Sequence, residues 1–154
     1  PLLFLGIKPI YVDIDSKNVE KMLRAKFVSE NTLYKNSDVI SLHVPYNKNT
    51  HHLMNSKIFK KMKKTSFLIN TSRGKIVDEK QLVVALKTKQ ILGAGMDVYE
   101  LEPMKKNNPL LKLENVVLAP HVGSSTRETR QKMSDITVRN LILALEGKKL
   151  LYSV

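Results

Sequence analysis

Ser66-Phe-Leu-Ile-Asn-Thr-Ser-Arg73-Gly74, Gly93-Ala-Gly-Met-Asp97-Val-Tyr-Glu-Leu-Glu102-Pro103 and Asn115-Val-Val-Leu-Ala-Pro-His121-Val-Gly-Ser are three short apolar runs, each ending in polar residues. Runs of this length without clean alternation suit the strands of a parallel sheet covered on both faces. Two more precede them, Pro9–Val12 and Val39–Val44, and consecutive runs start 22 to 30 residues apart. Most of the intervals carry a helical pattern, so the chain reads as βαβ repeats: an α/β fold with a doubly wound parallel sheet. Ligands of such sheets bind beyond the carboxyl ends of the strands. Those ends deliver Asp13, Pro45, Thr71-Ser72-Arg73, Asp97 and Pro120-His121 to one edge.

The helix signals agree with this reading. Asp78 caps a helix, with Gln81 at its third position, Val77 stapling toward Leu82, and a stripe of Leu82, Val83 and Leu86. Ser125 with Glu128 offers a second capping box before the longest helix. Met133, Ile136, Leu141, Ala144 and Leu145 line one side of that helix, and Gly147 stops it. Lys57, Lys60, Lys61 and Lys64 follow helical spacing opposite Met54, Ile58 and Met62, which predicts a solvated helix face.

The 154 residues, 42% hydrophobic and 26% charged, suffice for one globular core. The chain contains no cysteine, so it offers neither disulfides nor thiolate metal ligands, which fits a cytoplasmic location. No apolar run approaches the ~20 residues of a membrane helix, and Pro1–Val12, interrupted by Lys8, does not read as a signal peptide. The formal net charge of +12 invites nucleic acid, but 21 lysines stand against 5 arginines, and no aromatic residues interleave with them. Neither nucleic acid nor membrane is expected as a partner.

The polar edge suggests acid binding and proton transfer. Arg73, followed by Gly74, has the planar fork that grips a carboxylate through two hydrogen bonds. His121, between Pro120 and Gly123, carries an imidazole, a group that can donate a proton to a developing alkoxide, and Glu102 is the carboxylate expected to support it. Asp13 reads either as a helix cap or as an acceptor for both ribose hydroxyls of an adenosine, which would favour NAD over NADP. His43 is expected to be half-buried within a strand. Adjacent His51 and His52 are expected to point apart, and no metal site is expected.

Asn70-Thr-Ser-Arg73-Gly74, Asp97-Val-Tyr-Glu-Leu-Glu102-Pro103, Ala119-Pro-His121-Val-Gly123-Ser and Ser37-Asp-Val-Ile-Ser-Leu-His43-Val-Pro45 through Asn55 resemble, in order and spacing, the signatures of D-isomer-specific 2-hydroxyacid dehydrogenases. The wording is most similar to the glyoxylate and hydroxypyruvate reductase branch. The resemblance implies reduction of a 2-keto acid such as glyoxylate or hydroxypyruvate to a D-2-hydroxy acid, with NAD as cofactor. Arg73 would orient the substrate, and His121 would protonate its carbonyl oxygen with support from Glu102. Asp13 would hold the adenine ribose and Asp97 would meet the nicotinamide carboxamide. Pro45, Thr50, Thr71, Ser72, Gly123 and Ser124 would line the cofactor groove, and the assembly would be a homodimer.

The chain departs from that family in one respect. Gly93 and Gly95 form its only Gly-x-Gly, inside a strand, and Val98 stands where a third glycine would complete a pyrophosphate cradle. Leu5–Ile10 looks like the exit of a helix into a second strand. The resemblance therefore implies a partial Rossmann-type domain over residues 1–123 with the first strand and glycine-rich loop missing, and a C-terminal helix and tail over 124–154 returning toward a substrate domain. A cofactor-sensing corepressor on the same scaffold and an inactive gene fragment are the alternatives.

Overall fold

The computed structural model describes residues 8–12 and 25–152. They fall into two units, Pro1–Pro120 and His121–Val154.

The first unit is built on a parallel sheet of β3 (Val39–Leu42), β4 (Phe67–Asn70), β5 (Gly93–Met96) and β6 (Val116–Leu118), in that order. The register is continuous: Leu42, Asn70, Met96 and Leu118 lie side by side at the last rung. All four strands therefore finish at the same edge, as the apolar runs imply. Ile40, Leu68 and Ala94 form the rung above, and this face is buried. The opposite face is not: Val39, Phe67 and Val117 are 57%, 41% and 75% exposed. β3 accordingly alternates exposed and buried residues.

Residues Ile10–Tyr11 (β1) do not join that sheet. They pair in parallel with Lys26–Phe27 (β2), a strand the sequence reading missed, in a separate two-stranded sheet. Among the described residues, four strands make up the larger sheet. A two-residue strand with both side chains exposed carries no periodicity from which to infer it.

Between the strands lie α1 (Glu30–Asn36), α2 (Ser56–Phe59) and α3 (Glu79–Lys87). Ser29, Asn55 and Asp78 cap them, each side chain accepting a first-turn amide that has no carbonyl of its own. In α3 the buried stripe is Leu82, Ala85 and Leu86, with Val83 at its margin. Val77 and Leu82 are both fully buried, whereas the reciprocal half of the capping box is absent because the Asp78 amide donates to Met54. The lysine-rich segment is a single helical turn followed by bends, although its lysines are exposed or half-exposed and Met54 and Met62 are buried as expected. Phe59, Met54, Leu68, Ile76, Leu86 and Ile91 are fully buried at the centre of the core, each contributing roughly 2 kcal/mol of transfer free energy.

The second unit is α4 (Arg127–Leu145) with its flanking turns. Thr126, not Ser125, is the cap, accepting from the Thr129 amide at 3.2 Å. Ser125 instead accepts from the Arg130 guanidinium at 2.9 Å. Gly147, at φ +66°, ends the helix as expected: its amide reaches Ala144 and that of Lys148 reaches Leu143, the paired bonds of a Schellman turn. None of the helix's residues is buried.

Candidate active site

Three loops continue β3, β4 and β5 beyond the shared edge. The first, Val44–Thr50, is folded by its own polar groups. The Thr50 hydroxyl donates to the Pro45 carbonyl at 2.7 Å and accepts from the Asn47 amide at 2.8 Å. Ser72, on the second loop, donates to the Val44 carbonyl at 2.6 Å. Two of the expected cofactor-lining hydroxyls thus use their protons to tie these loops, leaving lone pairs for a ligand. Pro45 and Thr71 are exposed at the rim.

The second loop is governed by Asn70, a residue the sequence reading left without a role. It is completely buried at the end of β4, and its amide nitrogen donates to the Arg73 carbonyl at 3.0 Å while its oxygen accepts from the Ser72 amide at 3.1 Å. A buried amide satisfied by loop backbone on both sides fixes the path of the next three residues. The signal was present: an asparagine ends an otherwise apolar run. Arg73 follows in an extended conformation and is exposed. Its guanidinium donates once, to the Ser72 carbonyl at 2.7 Å.

The third loop holds Asp97, Tyr99 and Glu102. Asp97 is 7% exposed, the only buried ionic side chain among the described residues, and its amide donates to the Asn70 carbonyl. The Tyr99 hydroxyl reaches the Ala119 carbonyl at 2.7 Å and the Met96 carbonyl at 3.0 Å, locking the ends of β5 and β6 together. Burial raises its phenol above the ordinary value, and the Asp97 charge adds to this. Glu102 is exposed and accepts from the Tyr99 amide at 2.9 Å, closing a turn in which its carboxylate lies over the backbone that precedes it.

Gly74 packs against the Tyr99–Glu100 peptide, so the loops bearing Arg73 and Glu102 are in backbone contact. A guanidinium and a carboxylate are thereby carried on two touching loops at one sheet edge. His121 opens the second unit at φ +55°, an uncommon conformation for a residue with a side chain, and is exposed. Gly123 and Ser124 follow, both exposed, with the Ser125 amide closing a turn onto Val122. Asp13 lies outside the described residues.

Two histidine expectations need correction. His43 is exposed just past the end of β3, its Nε2 2.9 Å from the Ser41 hydroxyl. His51 and His52 do not point apart: their rings stack at 4.0 Å and 20°, because His52 adopts φ +50° and turns its side chain back over its neighbour.

The donor set fits the amide end of a dinucleotide. Asp97, buried just past the end of β5, is a carboxylate of the kind that can accept from a carboxamide –NH2. The chain carries no glycine-rich loop that would present amides to a pyrophosphate.

Residues 2–123 match the family model described as D-isomer specific 2-hydroxyacid dehydrogenase, NAD binding domain. The chain is 48% identical over 144 residues to a glyoxylate reductase of Thermofilum pendens, covering 92% of this chain and 42% of that protein. It is 44% identical over 128 residues to glyoxylate/hydroxypyruvate reductase B of Cronobacter sakazakii, covering 83% of this chain and 40% of that one. Among solved structures, a glyoxylate reductase from Paecilomyes thermophila superposes with a TM-score of 0.92 at 37% identity, over 99% of this chain and 46% of that one. The chain spans less than half the length of these relatives.

Proposed function

The chain belongs to the D-isomer-specific 2-hydroxyacid dehydrogenase family, and on that premise we propose that it carries the catalytic edge of an NAD-dependent reductase of 2-keto acids, glyoxylate or hydroxypyruvate first among them. The observation that carries this reading is the contact of the Arg73 and Glu102 loops at the carboxyl ends of β4 and β5. The cofactor, in its reduced form NADH, would supply a hydride to the substrate carbonyl and leave as NAD.

The chain's own residues do the rest. Arg73, with most of its guanidinium donors still to be used, grips the substrate carboxylate and polarises the carbonyl through paired hydrogen bonds. His121 gives a proton to the carbonyl oxygen as negative charge develops there. Glu102 is the carboxylate that supports this proton transfer. Asp97 orients the nicotinamide by accepting from its carboxamide, while the Thr50 and Ser72 bonds keep the groove wall in place. Asp13 selects NAD over NADP at the adenine ribose. The residues from 124 onward form the helix and tail that return toward a substrate domain, in a homodimer acting in the cytoplasm.

Oxidation of NADH by the protein, followed by absorbance with glyoxylate, hydroxypyruvate and pyruvate in parallel, tests the proposal. Turnover with at least one of them, faster with NADH than with NADPH, is expected. A folded protein that oxidises NADH with none of these acids contradicts it.

A further inference from the structure

We infer that His52 and Glu100 are positioning residues for Glu102, an inference that rests on the role proposed above for that carboxylate. Glu100 sits on the same loop, between Tyr99 and Glu102, and faces α3. Its Oε1 accepts the Glu79 amide at 3.0 Å, capping the first turn of α3 beside Asp78. Glu79 returns the bond, its Oε2 accepting the Glu100 amide at 3.3 Å, and its Oε1 accepts from Asn108 at 2.7 Å. Two carboxylates thus cap each other's backbone at the positive end of a helix. The Tyr99 and Glu100 amides are both held, one by Glu102 and the other by Glu79.

Three carboxylates, Asp78, Glu79 and Glu100, meet here, and the His52 ring lies among them. Its Nε2 lies 2.9 Å from Glu100 Oε1 and its Nδ1 3.9 Å from Asp78 Oδ2. The imidazole reaches this position through a backbone conformation of φ +50°, which is uncommon for a residue that bears a side chain. The surrounding chain holds it there: the His52 amide donates to Lys75, its carbonyl accepts from Asn55 at 2.9 Å, and Met54 pairs with Val77 in a parallel bridge. His51 stacks on its outer face. Helix capping alone does not require a strained histidine, since Asp78 already caps α3. What the histidine adds is a second contact, at 2.9 Å, on the carboxylate that joins the Glu102 loop to α3.

The test uses the protein with Glu100→Ala, Glu100→Gln and His52→Ala, and reads two quantities: hydrogen exchange at the Tyr99 amide, and kcat against KM for 2-keto acid reduction. Glu100→Ala and His52→Ala are expected to speed exchange at Tyr99 about tenfold, with the β4 amides unchanged, and to lower kcat about tenfold at constant KM for NADH. Glu100→Gln keeps an acceptor for the Glu79 amide and the same reach toward His52, and is expected to restore both readouts. His52→Ala decides the matter if Glu100→Ala does not fold. Unchanged exchange at Tyr99, exchange that rises equally throughout β4, or a Glu100→Gln as impaired as Glu100→Ala overturns the inference. A wild type without reductase activity overturns the proposed function instead, and the exchange measurement still judges the positioning.

Discussion

Gly74 lies so close to Tyr99 that a Cβ at position 74 would overlap the Tyr99 carbonyl. The glycine after Arg73 is therefore required by a neighbouring strand end, not by its own dihedral angles. Two loops that carry opposite charges can touch only because one of them has no side chain at the crossing.

Replacing Gly74 with Ala forces the two loops apart. The obstacle is backbone on both sides, which cannot rotate away, so Gly74→Ala is expected to destabilise the fold by about 2 kcal/mol or more. Urea unfolding checks this. A midpoint equal to that of the wild type would show the loops to be less tightly joined than described.

Asn70→Ala removes both bonds that shape the Arg73 loop and strands the Ser72 amide and the Arg73 carbonyl. A cost of roughly 2–4 kcal/mol is expected from two lost bonds in a fully buried setting. Asn70→Asp keeps the acceptor but turns the donor to Arg73 into a second acceptor, and should be no better. Thermal unfolding of both variants is the check, and two near-native melting curves would contradict the assignment.

Much of this edge was legible in the sequence because strand ends are marked by the abrupt change from apolar to polar residues. Phe67–Asn70 and Val116–Leu118 coincide with β4 and β6, and the Arg73 and Glu102 segments fall on adjoining loops. What escaped was set by tertiary contacts. Asn70 looked like part of an apolar run, yet its amide directs the loop. Glu100 is unmarked in the sequence, and what distinguishes it is its bond from the Glu79 amide and its contact with His52. The cap at Thr126 rather than Ser125 turns on one residue of register, which neighbouring hydroxyls do not distinguish. The stacked His51 and His52 depend on a positive φ that nothing in their identity announces.

Tyr99 gives the fold an alkaline limit. Its phenol is raised by burial first and by Asp97 next, so the folded form holds its proton more tightly than the unfolded chain. The corresponding stability is complete below the ordinary tyrosine value of about 10 and declines as pH rises from there toward the folded value. Tyr99→Phe, which also loses the bonds to Ala119 and Met96, should be less stable at neutral pH by about 1 kcal/mol and should lose stability less steeply above pH ~10. Unfolding midpoints across that range, wild type beside variant, decide it. Parallel pH profiles would contradict the role given to this phenol.

Arg73→Lys keeps the charge and loses the fork. The KM for the keto acid should rise about tenfold or more while NADH affinity, measured by nicotinamide fluorescence, stays as it was. Equal losses in both would mean that Arg73 serves the cofactor and not the substrate.

The central claim is that His121 supplies the proton to a keto acid reduced at the expense of NADH, and its most direct test is the kcat of His121→Ala beside that of the wild type with the same 2-keto acid. The account predicts a fall of about 10²-fold or more with the fold and NADH affinity retained. A His121→Ala protein that turns over at the wild-type rate would contradict it.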